Sequence, residues 1–510
     1  MTTQFIKPHR FSITPLAPIH IGCGADYEPT NTVIDVERRF LYSFNSAAVE
    51  LSPTERNQLL AVASKGEIRE VNAFFNRSID LFRPWADNIV PMGQQAIFQY
   101  KKMLDPKGNQ KNTQYCFQRM LVSHGETGCL PVLPGSSVKG MIATALLDRL
   151  NDFQSFIQLD VPSILGGKFD KSPMRFLKVG DFQSRPEGVG SRIYYADRLT
   201  KKDGSSAGKF SSCFESVIPG AYRQFTGDIV FADAQNTKGV PNVYADPAAV
   251  LKDLHAYSSW VLASQKAFYL MVAPEWFASV SKLLSELAPL FSSGRAALVR
   301  LGKNNGAESY TAHMIDEETS LPRCKKPSLT AFITRDTEAK FNAQPFGWAV
   351  IEADPVADAT PLKKWCAARN VADAARSVAE EWSFVREIRE KRLKAVLASK
   401  ANEEAVEARR REEAKRAEEA ERVKATLSPQ AREAAEVCEA LEKAPGVVQP
   451  GWPLFIRVKE LLTEAEAWTN AEEKKALALR IQPLLKKKDM FRGKAEKEFK
   501  RQLKNLRGEG

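Results

Sequence analysis

Residues 134–140, Pro-Gly-Ser-Ser-Val-Lys-Gly, bring together residue types that can bind an anion. Pro134 and Gly135 are turn formers, and the hydroxyl of Ser136 or Ser137 can cap the N-terminus of a helix. The apolar residues that follow fall on one helical face: Ile142, Ala145, Leu146 and Leu150. The segment therefore predicts a turn followed by a helix whose first backbone amides are free to donate to a ligand.

Lys139 and Gly140 do not stabilise the start of such a helix. A lysine in the first turn opposes the helix dipole, and a glycine inside a helix is less stable than alanine by about 1 kcal/mol. A bound phosphate explains both residues, because Lys139 would add a positive charge and Gly140 would let a nucleic-acid backbone come close. A capped helix with a solvated lysine is the alternative. Since Lys139 precedes Gly140, the order differs from a Walker A loop, and no nucleoside triphosphate is implied.

A second glycine segment follows the first predicted strand. Residues 10–21 alternate apolar and polar side chains, and Pro15 and Pro18 are expected to restrict this strand to a sheet edge or a bulge. Residues 22–24, Gly-Cys-Gly, then allow a tight turn and the close approach of a ligand backbone, although ordinary turns often contain such a pair.

The sequence offers few groups for acid–base or metal chemistry. No two of the five histidines are spaced as metal ligands on a helix are, so no metal site is predicted. His20 and His124 could act as acid and base on an RNA phosphodiester without a metal, and Asp26 and Asp35 lie near the first glycine turn. A structural role is the more common one for each of the two histidines, and neither aspartate lies in a specific motif.

Length and charge favour several domains and an acidic partner. A chain of 510 residues is too long for one core, and a net charge of +11 with a pI near 9.1 favours nucleic acid as the partner. The seven cysteines contain no Cys-x-x-Cys pair, which fits a reducing compartment rather than zinc or disulfides. Because the N-terminus lacks an apolar leader and no long apolar run occurs, we expect a soluble cytoplasmic protein without membrane contact.

Residues 134–140 and the apolar helix after them closely resemble an element of the RAMP proteins of type III CRISPR effector complexes, Pro-Gly-Ser-Ser-hydrophobic-Lys-Gly. Residues 18–24 are similar to the Pro-x-His-Ile-Gly-x-Gly segment that ends the first RAMP strand. The loop 300–306 is similar to the glycine-rich loop of the C-terminal RAMP half, where it implies phosphate contact. Residues 345–351, Pro-Phe-Gly-Trp-Ala-Val-Ile, resemble the end of the fifth Csm subunit in particular. The resemblance covers roughly residues 8–355.

The resemblance implies an α+β fold with tandem ferredoxin-like (RRM-like) RAMP domains that bind RNA through glycine loops and a helix N-terminus. It implies a crRNA-binding subunit of a type III-A (Csm) complex, which caps the crRNA 3′ end and supports crRNA maturation and complex assembly in antiviral defence. No catalysis and no cofactor are implied. The implied partners are crRNA, a neighbouring backbone RAMP subunit and recruited nucleases. The residues expected at the RNA are Gly22, Gly24, Gly135, Ser136, Ser137, Lys139, Gly140, Arg300, Gly302 and Lys303.

Two alternatives remain open. The first is a RAMP-type, metal-independent endoribonuclease, because backbone RAMP subunits of these complexes use an aspartate in their N-terminal half to cut target RNA. His20, Asp26 and Asp35 are its candidate residues. The second alternative is a RAMP subunit of a type III-B complex.

The order of elements predicts four segments. Residues 1–245 are expected to form the N-terminal RRM-like domain with insertions, among them a basic turn at 105–108, and residues 246–360 the C-terminal one. Residues 361–426 are expected to be a linker and a long charged helix. Residues 427–510 are predicted to form a basic helical appendix, since proline–glycine pairs separate short helical patterns there.

Local patterns predict further elements within these segments. Residues 32–43, 267–273 and 309–314 are each expected to be a strand. Residues 379–424 are rich in Ala, Glu, Lys and Arg without proline or glycine, and they lack large apolar residues at coiled-coil positions in the middle, so a solvated helical rod is expected. Residues 486–510 contain ten Lys or Arg and four Asp or Glu, a local charge of +6 that could attract phosphate.

Overall fold

The computed structural model describes residues 6–104, 116–125, 128–151, 172–185, 190–208, 212–232, 244, 246–315, 322–323, 327–335, 343–355, 359–369 and 371–509. The chain divides into two compact units, Met1–Ala398 and Ser399–Gly510. The first unit combines strands and helices, and the described part of the second is helical, so the predicted α+β class is confirmed. The basic turn expected at 105–108 lies outside the described residues.

The strands are numbered in chain order. Their bounds are β1 Ile6–Pro15, β2 Gly22–Tyr27, β3 Thr32–Asp35, β4 Phe40–Phe44, β5 Ala86–Pro91, β6 Phe117–Met120, β7 Val122–Gly125, β8 Gly128–Leu133, β9 Leu177–Val179, β10 Phe182–Ser184, β11 Ser191–Thr200, β12 Ser212–Val217, β13 Phe225–Ala232, β14 Ala296–Arg300, β15 Met314–Ile315, β16 Pro322–Arg323, β17 Thr330–Arg335, β18 Ala343–Pro345 and β19 Trp348–Ala353.

The α-helices alternate with these strands in the first unit and are consecutive in the second. Their bounds are Pro53–Ala63, Ile68–Arg77, Ile79–Phe82, Gln94–Leu104, Gly135–Asn151, Pro247–Ser264, Lys266–Val272, Pro274–Ser292, Thr360–Ala367, Ala372–Thr426, Pro429–Lys443, Pro453–Glu466, Ala471–Lys487 and Gly493–Leu506. Among the described residues, no helix has the length and apolar character that crossing a membrane requires.

Eight of the described strands form one antiparallel sheet, in the order β14-β19-β1-β13-β10-β8-β7 with β9 also beside β13. The first strand is central in this sheet, because Ser12 lies opposite Thr226 of β13 on one side and Glu352 of β19 on the other. The predicted edge or bulge position is therefore wrong. Pro15 is the last residue of β1 and Pro18 lies beyond it, so neither proline interrupts the middle of the ladder.

The described residues of the same unit form three smaller sheets, one of which is only the pair of β15 and β16. The order of the largest of the three is β18-β17-β11-β12-β6-β2, with β6 and β12 parallel, and the order of the remaining one is β3-β4-β5. The single strand expected at residues 32–43 is instead the hairpin of β3 and β4, whose connection contains Arg39 at φ 59°. The alternation of side chains continues through such a hairpin, which is why the sequence pattern alone reads as one strand.

Two other segments expected to be strands have a different structure. Residues 266–272 form a helix, in which Phe268, Tyr269 and Val272 are buried at spacings that suit a helix rather than a strand. At residues 309–314, the helical turn Ala307–Ser309 precedes the two-residue strand Met314–Ile315.

The main core lies between the eight-stranded sheet and the helices that cover it. Gly135–Asn151 contributes Val138, Ile142, Ala145 and Leu146, which follow helical periodicity and are almost completely buried. Pro247–Ser264 packs beside this helix, where Arg149 forms an ion pair with Asp253 at 2.7 Å.

The expected boundary at residues 245 and 246 does not separate two sheets. β1 and β13 precede this boundary and β14 and β19 follow it, yet all four are neighbours in the eight-stranded sheet. The two halves of the unit Met1–Ala398 consequently share one core.

Ala372–Thr426 is a single helix of 55 residues, referred to below as the long helix. Its beginning is not a solvated rod, because Val385 is completely buried and Glu381 is only 4% exposed in the unit Met1–Ala398. The Glu381 carboxylate accepts hydrogen bonds from Arg38 Nη2 at 2.7 Å and from the Tyr42 hydroxyl at 2.8 Å. The residues from about 400 onwards are largely exposed, as expected for a rod.

The unit Ser399–Gly510 has its own helical core, which confirms the predicted C-terminal helices. Leu441, Val458, Ile481 and Phe499 are completely buried in it. Two of the carboxylates already counted in the local charge of +6 form ion pairs, Glu498 with Lys459 at 3.0 Å and Glu496 with Lys500 at 2.7 Å.

Candidate functional site

Three segments that are far apart in the sequence line one cleft of about 470 Å³ in the first unit. They are the connection from β1 to β2, the first turns of the helix Gly135–Asn151 and the loop after β14. We call it the three-segment cleft, and its lining residues are His20, Ile21, Gly22, Ser136, Ser137, Gly140, Met141, Thr144, Arg300, Leu301, Gly302, Lys303, Ser309 and Tyr310. The structure thus brings together Gly22, Ser136, Ser137, Gly140, Arg300, Gly302 and Lys303 of the residues predicted from the sequence.

Backbone hydrogen bonds fix the first segment against the loop after β14. The Lys303 amide donates to the His20 carbonyl at 2.8 Å, and the Leu121 amide donates to the Ile21 carbonyl at 2.8 Å. Gly302 has φ +88°, and a Cβ atom at this position would stand 2.6 Å from the His20 carbonyl oxygen. A glycine is therefore required here by the protein's own backbone, whatever the cleft binds.

The helix that lines the cleft begins at Gly135. Three of its first four backbone amides are not free, in contrast to the prediction. The Gly135 amide donates to Asp181 Oδ1 at 2.8 Å, and the Pro134 carbonyl accepts from the Ser137 amide at 2.9 Å and from the Val138 amide at 3.2 Å. Capping by the hydroxyl of Ser136 or Ser137 is therefore wrong, because both serines lie in the first turn instead of before it. Their position on the cleft wall makes them available to a ligand.

Gly135 does not line the cleft. It is buried against the turn between β9 and β10, where an added Cβ would stand 2.7 Å from the Gly180 carbonyl oxygen and closer still to that of Val179. Its small size thus serves the packing of helix against sheet. Gly24 is also outside the cleft, exposed in β2 with φ +81°.

Gly140 faces the open space of the cleft. A Cβ atom placed on it would meet no atom within 4 Å outside the nearby backbone of its own helix. Ser136 and Thr144 precede and follow it by four residues, so all three lie on the same helical face. A molecule in the cleft can approach the helix backbone most closely at Gly140.

Lys139 does not line the cleft, in contrast to the prediction. One residue corresponds to about 100° of rotation in an α-helix, so Lys139 faces a different direction from Gly140. Lys139 is half-buried, and this burial lowers the pKa of its ammonium group from the usual range.

Arg300 lines the cleft, but its guanidinium group is occupied by internal contacts. The residue is 5% exposed, with Nε donating to the Phe346 carbonyl at 3.2 Å and Nη1 to Gln265 Oε1 at 3.1 Å. Its guanidinium carbon also lies 4.9 Å from the centre of the Trp348 ring. The contribution of Arg300 is chiefly a fixed positive charge behind the wall of the cleft.

Lys303 is the exposed cation of the cleft lining. Its Nζ donates to Gln118 Oε1 at 2.6 Å, which leaves further N–H groups for a ligand. The described lining contains two cations, Arg300 and Lys303, and no carboxylate. The cleft is accordingly suited to an anion.

His20 lies in the wall of the cleft and is completely buried. Its Nδ1–H donates to the Glu215 carbonyl at 2.6 Å, which leaves Nε2 as an acceptor, and Nε2 has no hydrogen-bond partner among the described residues. Burial lowers the pKa of His20, and the nearby charge of Lys303 acts in the same direction. The imidazole is thus held neutral at neutral pH.

Glu215 supports this arrangement and was not identified from the sequence. Its side chain is completely buried and accepts hydrogen bonds from the Tyr27 hydroxyl at 2.8 Å, from the Met120 amide at 2.9 Å and from the Ser191 hydroxyl. Burial raises the pKa of the Glu215 carboxyl above its usual range. The one signal that could have indicated a buried polar network is a glutamate in a strand segment that also contains Phe214 and Val217.

The other candidate catalytic residues do not join His20 at the cleft. His124 and Asp26 are outside the lining, and Asp35 forms an ion pair with Arg83 at 2.9 Å. In the part of the chain that the structure describes, no group of three or more His, Cys, Asp or Glu residues is arranged to hold a metal ion.

Tyr310 lines the cleft and was likewise not identified from the sequence. It is 54% exposed, and its hydroxyl donates to the Gly302 carbonyl. Tyrosine in a polar segment gives no signal of its own, since most tyrosines contribute to cores or surfaces without a ligand.

A scan against models of protein families gives no match for this chain, and a search of curated proteins finds none that matches it either.

Proposed function

We propose that this chain is a crRNA-binding RAMP subunit of a type III-A (Csm) complex, which holds the 3′ part of crRNA and supports crRNA maturation and complex assembly. One observation carries the proposal: the three segments that resemble RAMP elements meet in a single cleft with two cations and no carboxylate in its described lining. Chance resemblance of short motifs gives no reason for them to converge.

The proposed ligand follows from the chemistry of the cleft. Lys303 and the hydroxyl-bearing residues Ser136 and Ser137 suit a phosphodiester group, and the open face at Gly140 suits a backbone that passes close to the helix. A single strand fits better than a duplex, because a cleft of about 470 Å³ is too small to enclose a double helix.

The proposal includes a finer description of the fold as tandem ferredoxin-like (RRM-like) RAMP domains. Both proposed domains lie within the unit Met1–Ala398. The N-terminal domain would contain β1, β13 and the helix Gly135–Asn151, and the C-terminal domain would contain β14, β19 and the helix Pro247–Ser264. Support comes from the antiparallel pairing of these strands and from the packing of both helices beside the same sheet. The neighbouring backbone RAMP subunit and recruited nucleases belong to the proposal as partners.

A metal-independent endoribonuclease is the second candidate, and the position of His20 favours it. His20 is one of the lining residues, and its Nε2 has no hydrogen-bond partner among the described residues. Asp35 is a weaker candidate because Arg83 already occupies its carboxylate. A subunit of a type III-B complex would use the same cleft, and the identity of the co-purifying subunits distinguishes the two complexes.

The test combines assembly, binding and cleavage. The full chain is co-expressed with its genomic neighbours, and the RNA that purifies with the complex is sequenced; we expect crRNA. Purified protein is then incubated with repeat RNA in EDTA, where we expect binding that weakens with salt and no cleavage. RNA affinity that does not depend on salt would overturn the proposed binding role. Cleavage that His20→Ala abolishes would establish the endoribonuclease instead.

A further inference from the structure

Tyr310 is the most exposed aromatic side chain among the described residues. It is 54% exposed, compared with 46% for Trp452 and 42% for Phe98. It also lines the three-segment cleft, whereas Trp452 and Phe98 do not. Ligand clefts are commonly lined by aromatic side chains, so an exposed ring at this cleft is placed where a ligand can cover it.

The Tyr310 ring is held by the loop that carries the exposed cation of the cleft. Its hydroxyl donates to the Gly302 carbonyl, which also accepts from Asn305 Nδ2 at 2.9 Å. Lys303 follows Gly302 directly, and its amide is bonded to the His20 carbonyl at 2.8 Å. The aromatic surface and the positive charge are therefore fixed relative to each other before a ligand binds, which lowers the entropy lost on binding.

We propose that the ring of Tyr310 is a platform on which one unpaired base of the bound RNA stacks, while the adjacent phosphate contacts Lys303 and the first turn of the cleft helix at Ser136 and Ser137. This inference rests on the proposed function and adds to it the recognition of a base. Every base has an aromatic face, so the platform does not select a sequence. The cleft would thus accept crRNAs of different sequence.

The chemistry of the cleft favours a nucleotide over an aromatic side chain of a protein partner. A nucleotide brings an aromatic ring and a phosphate together, and the cleft offers Tyr310 beside Lys303 with no carboxylate in its described lining. An aromatic peptide would cover the ring and leave Lys303 without a counter-charge unless an acidic residue followed. Binding of such a peptide in place of RNA is one outcome of the test.

The experiment separates the base from the backbone. The affinity of the full-length protein is measured for an oligouridine of about 12 nucleotides and for an oligomer of equal length made of abasic ribonucleotides. In the wild type we expect tighter binding of the oligouridine. Tyr310→Leu should weaken the oligouridine complex roughly 5- to 150-fold, the equivalent of one stacked base, and leave the abasic complex unchanged. Tyr310→Trp should retain the preference for the oligouridine.

Phe98→Leu is the matched control, because it removes another exposed ring that lies outside the cleft lining. If Tyr310→Leu weakens the binding of both oligomers equally, or weakens the binding of neither, the proposed stacking platform is overturned. If Lys303→Ala weakens both oligomers while Tyr310→Leu has no effect, only the platform fails and the proposed function stands. If the wild type binds neither oligomer, or binds an aromatic peptide instead, the proposed function fails as well.

Discussion

The backbone amide of Lys303 donates a hydrogen bond of 2.8 Å to the backbone carbonyl of His20, across 283 residues of sequence. This bond joins the connection after the first strand to the glycine loop after β14. It places the exposed ammonium group of Lys303 on the same cleft as the His20 ring. The electrostatic character of the cleft depends on this contact between the two halves of the unit.

Lys303→Ala should weaken binding of single-stranded RNA by about 1.5 to 3 kcal/mol, because a charge-assisted contact with phosphate is lost. The magnitude of the slope of log affinity against log salt concentration should fall by about 1, because one phosphate contact is lost. Lys139→Ala should change affinity much less, since Lys139 does not line the cleft. Fluorescence anisotropy at several salt concentrations measures the affinity and its salt dependence for each variant. Lys282→Ala is the control, because Lys282 is exposed. A larger effect at Lys139 than at Lys303 would contradict the assignment.

Two substitutions of Gly140 test protein stability and RNA binding independently. Gly140→Ala should raise the free energy of unfolding by about 1 kcal/mol, because alanine favours a helix interior and its Cβ meets no atom within 4 Å. Gly140→Gln should leave the fold intact and reduce RNA affinity, since its side chain would project into the cleft. Urea unfolding and RNA titration give the two values. Unchanged affinity in Gly140→Gln would mean that no ligand passes this face of the helix.

Gly135→Ala should act through stability and not through RNA contact. The new methyl group would overlap the Val179 and Gly180 carbonyl oxygens, and we expect a loss of about 1 to 3 kcal/mol in the free energy of unfolding. The RNA affinity of the fraction that remains folded should change little. Thermal unfolding gives the stability, and Gly140→Ala, in the same helix, is the control with the opposite expected sign.

His20 should make the stability of the first unit depend on pH. Burial lowers its pKa in the folded state, so its contribution is fully present above the unfolded-state pKa, about 6.5, and is lost as the pH falls through the lower folded-state value. His20→Gln should show a smaller loss of stability between pH 7 and pH 5 than the wild type. Some loss should remain, because burial also lowers the pKa of His255. Urea midpoints across this range are the measurement, and a substitution of another exposed side chain, Lys282→Ala, should leave the pH dependence of the wild type unchanged.

The long helix determines where the chain can be shortened. Deletion of residues 399–510 should leave the first unit folded, since that unit ends at Ala398. Deletion of residues 376–510 should destabilise it, because Val385 and the Glu381 bonds to Arg38 and Tyr42 would be lost. Circular dichroism and protease resistance of the two truncated proteins test this. Equal stability would show that the start of the long helix contributes nothing to the fold.

Much of the candidate site could be predicted from the sequence because its signals are local. The turn and helix at residues 134–151 follow from Pro134, Gly135 and the apolar residues four apart, and the structure has a helix at Gly135–Asn151. The direction of Lys139 could also have been inferred, since helical geometry turns it away from Gly140.

The remaining features depend on contacts between distant segments. Arg300 was expected at phosphate but is buried against Trp348 and Gln265, and no pattern near Arg300 specifies those neighbours. The central position of β1 likewise follows from partners more than 200 residues away. Side-chain alternation indicates that a strand exists but not which strands lie beside it.

The position of β1 also constrains the order of events during synthesis. Its residues leave the ribosome before those of its two neighbours, β13 and β19, which end only at Ala232 and Ala353. Until β19 has been synthesised, the edge of β1 at Phe11–Pro15 has no partner from that strand, and an unpaired apolar edge favours aggregation. Contacts of such long sequence separation also slow folding. The nascent first unit is therefore expected to need a chaperone until the segment around residues 348–353 has emerged.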